Sequence, residues 1–297
     1  MTWGGVAPLF VPAHVGRLRD KAAALEVSII LDLEDAVPAA EKHAARRGAA
    51  ELIERLPGRC SVRINPLAVA RDFGVAEGGE DLLAVLRPGI AGIVAPKIDD
   101  ADALRTVDER LTEAERRAGV AAGATPLGVV IETARGVVGM DAIARAGAAA
   151  TRRVELSFGA GDLTTDLGIE WGADESVFDT PRALLPVACR AAGLGRPRDT
   201  VFADVGDVEG LRASAARGKA LGYAGKAAIH PAQIPIIREV YRPTPRQLDW
   251  AREVVDAAAR HAADGAGAFL LDGRMIDDPV VARARDLLTS ATTEGHD

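Results

Sequence analysis

The sequence predicts a (β/α)₈ barrel, and three observations predict it. Short apolar runs alternate with longer amphipathic segments, the pattern of parallel strands joined by helices. Eight such strand–helix units fit into about 240 residues, the usual size of a closed barrel. The polar and ionisable residues gather at the C-terminal ends of the runs, where barrels place their chemistry. An open doubly wound sheet fits the same alternation, because short apolar runs do not prove closure.

The units follow in order. Pro8 to Val11 is the first strand, with a helix from His14 to Leu25. Val27 to Leu33 is the second, ending in Asp32-Leu33-Glu34-Asp35, and Pro38 opens the helix that runs to Leu56. Cys60 to Ile64 is stopped by Asn65-Pro66. Residues 67 to 79 read as loop, and Glu80 to Leu86 as a short helix. Ile90 to Ala95 is closed by Pro96-Lys97, and Asp99 or Asp100 caps the helix that ends at Ala118. The β-branched run Val129-Val130-Ile131 stops at Glu132. Val154 to Phe158 repeats the pattern, and Asp162 follows Gly159-Ala160-Gly161. Thr180-Pro181 opens a helix to Ala192. Asp199 to Ala203 is the seventh strand, ending at Asp204, and Val208 to Leu221 is helical. Lys226 to Ile229 is the eighth strand, ending at His230-Pro231, with helices near 231–241 and 245–263. A glycine-rich break at 264–267 separates a tail. The expected domains are a barrel over 1–263 and a lid segment over 264–297.

Composition narrows the function. The 297 residues are 48% hydrophobic, enough for a large core. The net charge of −7 argues against nucleic acid as a bulk partner. No apolar stretch nears the ~20 residues of a membrane helix. Cys60 and Cys189 stand alone, without metal or redox spacing, and read as reduced thiols of a cytoplasmic protein. No Gly-x-Ser-x-Gly, P-loop or dinucleotide motif appears.

The strand-end residues are Glu34, Asp35, Arg63, Asn65, Lys97, Glu132, Asp162, Asp204 and His230. Glu132 and Asp162 end neighbouring strands and can converge on one point. Mg²⁺ takes one or two carboxylates of this kind and leaves its other positions to water and substrate. Read alone, each is equally a helix cap or an ion-pair partner. Arg63, inside Val62-Arg63-Ile64, is out of place in a plain strand, and its fork suits a carboxylate. Lys97 offers Schiff-base chemistry, which the carboxylate pair makes redundant. His230 is a candidate base, a ligand contact or a helix-start residue.

Seven ordered motifs carry a resemblance over nearly the whole chain: Leu31-Asp32-Leu33-Glu34-Asp35, Val62-Arg63-Ile64-Asn65-Pro66, Ala95-Pro96-Lys97, Ile131-Glu132-Thr133, Phe158-Gly159 with Asp162, Gly225-Lys226, and Ile229-His230-Pro231 with Gln233. The chain resembles the citrate lyase β-subunit-like branch of the HpcH/HpaI aldolase superfamily, which includes malyl-CoA and citramalyl-CoA lyases. The resemblance implies a (β/α)₈ barrel with a C-terminal helical lid, in a homotrimer or hexamer. It implies a Mg²⁺-dependent lyase that cleaves or forms a 3-hydroxyacyl-CoA from an acyl-CoA and a small 2-oxo acid. Glu132 and Asp162 would hold Mg²⁺, and Arg63 the acid's carboxylate. Phe10, Arg17, Lys21, Ile229 and His230 match positions that contact the acyl-CoA or acid. Asp277 matches an acid/base aspartate carried by the tail, and Glu34 and Asp35 would orient Arg63 and water. The first loop departs from the family, with Ala13 where a glycine is usual after Pro12. Thioester hydrolysis after a malate-synthase-like condensation, a subunit of a citrate lyase complex working on a carrier-bound thioester, and a non-catalytic binding barrel are the competing readings.

Overall fold

The computed structural model describes residues 5–67, 77–172, 174–263 and 268–293. Most of the expected 67–79 loop, Gly74 included, and the Gly265–Gly267 break lie outside the described residues.

Eight parallel strands follow one another in sequence order: β1 (Leu9–Pro12), β2 (Ile29–Asp32), β3 (Cys60–Arg63), β4 (Gly92–Ala95), β5 (Leu127–Ile131), β6 (Val154–Phe158), β7 (Arg198–Asp199) and β8 (Gly225–Lys226). The ring closes. Leu9 bridges Ala228 in parallel, Phe10 N donates to Ala228 O at 2.8 Å, and Lys226 N donates to Val6 O at 2.9 Å. Closure leaves no sheet edge to protect and excludes the open doubly wound sheet.

The helices alternate with the strands: α1 (Gly16–Ala23), α2 (Lys42–Arg55), α3 (Glu77–Val85), α4 (Ala101–Arg117), α5 (Ala134–Val138), α6 (Met140–Ala149), α7 (Ala160–Leu167), α8 (Asp179–Ala191), α9 (Val208–Leu221) and α10 (Gln233–Tyr241), of which α5, α6 and α7 are not among the helices named from the sequence. Asp100 caps α4 by accepting from Ala103 N at 2.9 Å, and Arg116 and Arg117 in its last turn suit the negative end of the helix dipole. Asp207 caps α9 through Gly210 N. Gly222, at φ 105°, stops α9 in a conformation costly to any residue with a Cβ.

Strand alternation sorts the core into two shells. Ile29 and Leu31 of β2 face the helices with Val62, Ile93 and Val129. Ile30, Val94 and Val130 face the lumen, where Phe10 packs on them. The same alternation carries Asp32 and Arg63 to the lumen, one step beyond Ile30 and Ser61, and pairs them in register across β2 and β3.

Strand seven differs from expectation. It is Arg198–Asp199, not 199–203. Thr200 leaves the sheet to accept the Ala160 N–H at the start of α7 at 2.9 Å. Asp204 therefore does not end a strand; it holds a turn, accepting from Gly206 N at 2.9 Å and Asp207 N at 3.2 Å.

A buried polar cluster stands behind β7 and β8. Arg182 Nε donates to Asp199 at 2.9 Å and Nη1 to Glu175 at 2.8 Å. Its Nη2 reaches Asp199 and Ser214 O. Lys226 Nζ lies 3.2 Å from Asp199, and burial pushes its pKa below that of an ordinary lysine. The Gly225-Lys226 motif is thus part of the frame behind the sheet.

By contacts the chain divides between Tyr241 and Arg242, ahead of the expected 263/264 boundary. The reason is helix α11 (Pro245–Ala263), whose Ala251 and Val254 pack with Val281 and Ala284 of α12 (Asp278–Thr293) and with Ile276. A hairpin of β9 (Phe269–Leu271) and β10 (Arg274–Ile276) joins the two helices. Its signal was present and overlooked: Asp272-Gly273, both at positive φ, lies between the apolar Phe269–Leu271 and Met275–Ile276.

Removing Arg182 while its carboxylate partners stay buried leaves uncompensated charge. Arg182→Met is expected to lower stability by about 3–5 kcal/mol, read as a shift in the urea midpoint. A midpoint within error of the parent would show that the cluster does not support the fold.

Candidate active site

The C-terminal mouth of the barrel collects its chemistry because β2 to β5 end on, or within two residues of, a charged residue. Asp32 closes β2, and Glu34 and Asp35 follow it. Arg63 closes β3. Lys97 lies two residues past β4, and Glu132 one residue past β5. Asp162 sits in the first turn of α7. Of these, Asp35, Arg63, Glu132 and Asp162 line a cavity of about 380 Å³, with Phe10, Val130 and Thr200.

Arg63 is the centre of one half. Its Nε donates to Asp32 Oδ1 at 2.7 Å and its Nη2 to Asp32 Oδ2 at 2.8 Å. Nη1 lies 3.0 Å from Glu34 Oε2 and 3.5 Å from Asp35. The guanidinium stands 5.2 Å from the centre of the Phe10 ring, a cation–π distance. Asp32 also accepts from the N–H groups of Glu34 and Ala36. Burial works to raise the Asp32 pKa, but Arg63 and those N–H groups outweigh it and hold the carboxyl below its ordinary range.

Lys97 is the centre of the other half. Its Nζ donates to Glu34 Oε1 at 2.6 Å and lies 3.4 Å from Asp35 and 3.5 Å from Asp162. Its backbone, at φ 53°, is left-handed, and its N–H donates to Glu132 Oε1 at 2.8 Å. A lysine in that conformation costs about 1–2 kcal/mol. The return is one residue serving two buried carboxylates, one with its ammonium and one with its main chain.

Negative charge exceeds positive here. Burial pushes Glu34 up to about 7, against the pull of Arg63 and Lys97. Burial, then the charges of Glu34 and Asp162, push Glu132 up to about 8. Glu34 Oε2 is buried and takes no hydrogen bond. A side chain at Gly159 would put its Cβ 2.6 Å from Glu132 Oε2, so glycine there leaves the carboxylate its room. Hard oxygen donors, an orphaned carboxylate oxygen and excess negative charge fit a hard divalent cation. Among the described residues no group of three or more His, Cys, Asp or Glu is arranged to hold a metal; Glu132 and Asp162 offer the pair that Mg²⁺ commonly takes.

The predicted residues fall into three groups. Phe10, Glu34, Asp35, Arg63, Lys97, Glu132 and Asp162 come together as described. Arg17 and Lys21 are exposed, one turn apart on α1. Ile229 and His230 are exposed beyond β8, and both donate their N–H to Gln233 Oε1. Neither pair borders the cavity. Asn65 belongs to the frame: it bonds Leu33 O and Asp81, and Lys42 ties it to the backbone of Leu33 and Glu34. Asp277 accepts from Val280 N at 3.3 Å, so it, rather than Asp278, caps α12. Sequence reading missed Asp32 as an individual residue. Its signal was available: two positions after Ile30, it must face the lumen beside Arg63.

A family model described as HpcH/HpaI aldolase/citrate lyase matches residues 7–231. The citrate lyase subunit β of Haemophilus influenzae is 32% identical over 287 residues, 95% of each chain. The L-malyl-CoA/β-methylmalyl-CoA lyase of Cereibacter sphaeroides is 33% identical, over 95% of this chain and 93% of its own. The crystal structure of the Mycobacterium tuberculosis protein CitE in complex with magnesium, acetoacetate and coenzyme A superposes with a TM-score of 0.75 and 33% identity, covering 97% of this chain and 98% of that one. Barrel, strand-end motifs and relatives agree, and the chain belongs to the HpcH/HpaI aldolase/citrate lyase family.

Proposed function

We propose that this chain is a Mg²⁺-dependent carbon–carbon lyase that cleaves a 3-hydroxyacyl-CoA to a shorter acyl-CoA and a small 2-oxo acid, or runs the condensation in reverse. One observation carries the reading: the Arg63 guanidinium and the Glu132 and Asp162 carboxylates converge on one cavity at the barrel mouth. An oxo acid needs both a cation for its carboxylate and a polarising centre for its oxo group. The relatives support it. A malyl-CoA/β-methylmalyl-CoA lyase matches 95% of the chain, and M. tuberculosis structures hold magnesium with coenzyme A and acetoacetate or with oxaloacetate.

In this reading Glu132 and Asp162 hold the ion, and Arg63 takes the acid's carboxylate while the Phe10 ring backs its guanidinium. When bound, Mg²⁺ supplies Lewis-acid polarisation of the acid's oxygen. Cleavage breaks the C2–C3 bond, releases the hydroxyl proton and leaves a thioester enolate that must gain a proton at carbon. Asp277 is the proposed donor, and in condensation the base that removes the methyl proton. Arg17, Lys21, Ile229 and His230 are the proposed contacts for the CoA ester or acid. A homotrimer or hexamer, with the tail of one subunit serving another, completes the proposal. So does a cytoplasmic location, which suits two buried free thiols that burial pushes to about 11 and 12. Among the described residues no helix is long and apolar enough to cross a membrane.

The test is a panel of malyl-, citramalyl- and citryl-CoA with Mg²⁺, read by product mass. At least one should yield acyl-CoA and oxo acid in equal amounts. Free CoA without acyl-CoA, or no turnover of any thioester, would overturn the reading.

The raised carboxyls predict a pH dependence of the metal-free protein. Glu34 and Glu132 bind protons more tightly folded than unfolded, so between about pH 5 and 8 the native state holds more protons and stability falls as pH rises. Melting temperatures across that range should decline, the decline should shrink in Glu132→Gln, and Mg²⁺ should reverse it in the parent alone. An equal Mg²⁺ response in both proteins would remove Glu132 from the metal site.

Asp277→Asn keeps an acceptor for the Val280 N–H. It should melt within ~1 kcal/mol of the parent while turnover and proton exchange at the acetyl-CoA methyl fall by ~10² or more. If the tail serves a neighbour, mixing Asp277→Asn with Glu132→Ala chains should restore part of the activity. Normal turnover in Asp277→Asn would end the acid/base role.

A further inference from the structure

We infer that Asp32 is the residue that decides which edge of Arg63 meets the acid, and is therefore a positioning residue for oxo-acid capture; this rests on the lyase reading above. A guanidinium can bind a carboxylate along its side-on edge, through Nε and Nη2, or its end-on edge, through Nη1 and Nη2. Asp32 occupies the side-on edge with both of its oxygens, at 2.7 and 2.8 Å. The guanidinium carbon lies over the Phe10 ring, 5.2 Å from its centre, so the ring backs the fork. The end-on edge keeps Nη1 and the second Nη2 hydrogen: Nη1 has Glu34 Oε2 at 3.0 Å and Asp35 at 3.5 Å beside it as ion-pair neighbours, and Glu34 Oε2 accepts no hydrogen bond.

Asp32 is itself held. The N–H groups of Glu34 and Ala36 donate to its two oxygens at 3.0 and 3.1 Å, and it lies in register with Arg63 on adjacent strands. The carboxylate is 1% exposed, so water does not compete for it. One edge is thus committed to the frame, and one planar, two-oxygen acceptor can dock on the other. This is the geometry of a single carboxylate, and it explains how an arginine with three acidic neighbours remains able to recruit another acid.

The experiment measures glyoxylate, pyruvate and oxaloacetate binding by calorimetry in the presence of Mg²⁺, with coenzyme A affinity measured alongside. Asp32→Asn turns an amide N–H toward one guanidinium donor, so the fork must shift. The acid bound by the parent should weaken by about tenfold or more, and coenzyme A should stay within about twofold. In an Arg63→Met background the same change should alter acid affinity by less than about twofold, because Asp32 acts through Arg63. If Asp32→Asn does not fold, Asp32→Glu, which keeps the charge but displaces the fork by a methylene, is measured instead with the same expectation. Parent-like acid binding in the folded variant, or an equal loss in both backgrounds, overturns the inference while the lyase reading stands. A parent that binds none of the three acids removes the lyase reading and this inference together.

Discussion

The constraint on which the site depends is buried negative charge. Asp32, Glu34 and Glu132 are each almost fully buried at the barrel mouth, with Asp35 and Asp162 beside them. Charges out of water repel strongly, and each must find a partner or a proton. Arg63 and Lys97 divide the work. Arg63 satisfies Asp32 with a bidentate bond, and Lys97 satisfies Glu34 and, through its main chain, Glu132. Two cations among five carboxylates leave the cluster short of positive charge. That shortfall shows as raised proton affinity in Glu34 and Glu132, and it makes the mouth a place where a divalent cation and an acid's counter-charge are both accommodated.

Strand geometry explains how a fold with ordinary elements produces that concentration. Along β2 and β3 the lumen-facing positions change from Ile30 and Ser61 to Asp32 and Arg63 within one step of alternation. The lumen passes from an apolar layer of Phe10, Ile30, Val94 and Val130 to a charged layer in a few ångströms. The left-handed backbone of Lys97 belongs to the same arrangement. Strain at a non-glycine residue persists where neighbouring contacts over-determine it, and here a charge-assisted N–H bond to a buried carboxylate, of order 1.5–3 kcal/mol, offsets it.

Much of this was legible in the sequence, for physical reasons. Short apolar runs give β1 to β6 because burial on both faces demands apolar residues, whereas β7 and β8 are the charge-bearing pairs Arg198–Asp199 and Gly225–Lys226. Val208–Leu221 was bounded correctly because Asp207 and Gly222 are unambiguous cap residues. The convergence of Arg63, Glu34, Glu132 and Asp162 followed from strand-end position alone. What was not legible lay where tertiary contacts override local signals. The apolar residues after Asp199 read as strand, but Thr200 is recruited to the start of α7 and ends the strand early. Helix α11 looks like an eighth-unit helix until its apolar face is seen to pack on α12. Lys97 was read for its ammonium, while its backbone N–H is invisible to any reading of side chains.

Two arginines show why burial and pairing do not by themselves identify a functional group. Arg182 and Arg63 both grip an aspartate with Nε and Nη2, and both belong to networks of several acids. Arg182 spends its remaining donors on Glu175 and Ser214 in a sealed interior, so nothing further can bind and its contribution is to the frame. Arg63 stops short of that. Its Nη1 has Glu34 and Asp35 as ion-pair neighbours, Glu34 Oε2 accepts no hydrogen bond, and the residue borders a cavity. A polar network that satisfies itself rigidifies a fold. One that is braced on one side and borders a cavity on the other holds a binding group in place before its ligand arrives, so that less ordering is left to be done on binding. The difference between the two arginines lies in which edge the aspartate takes and what faces the other.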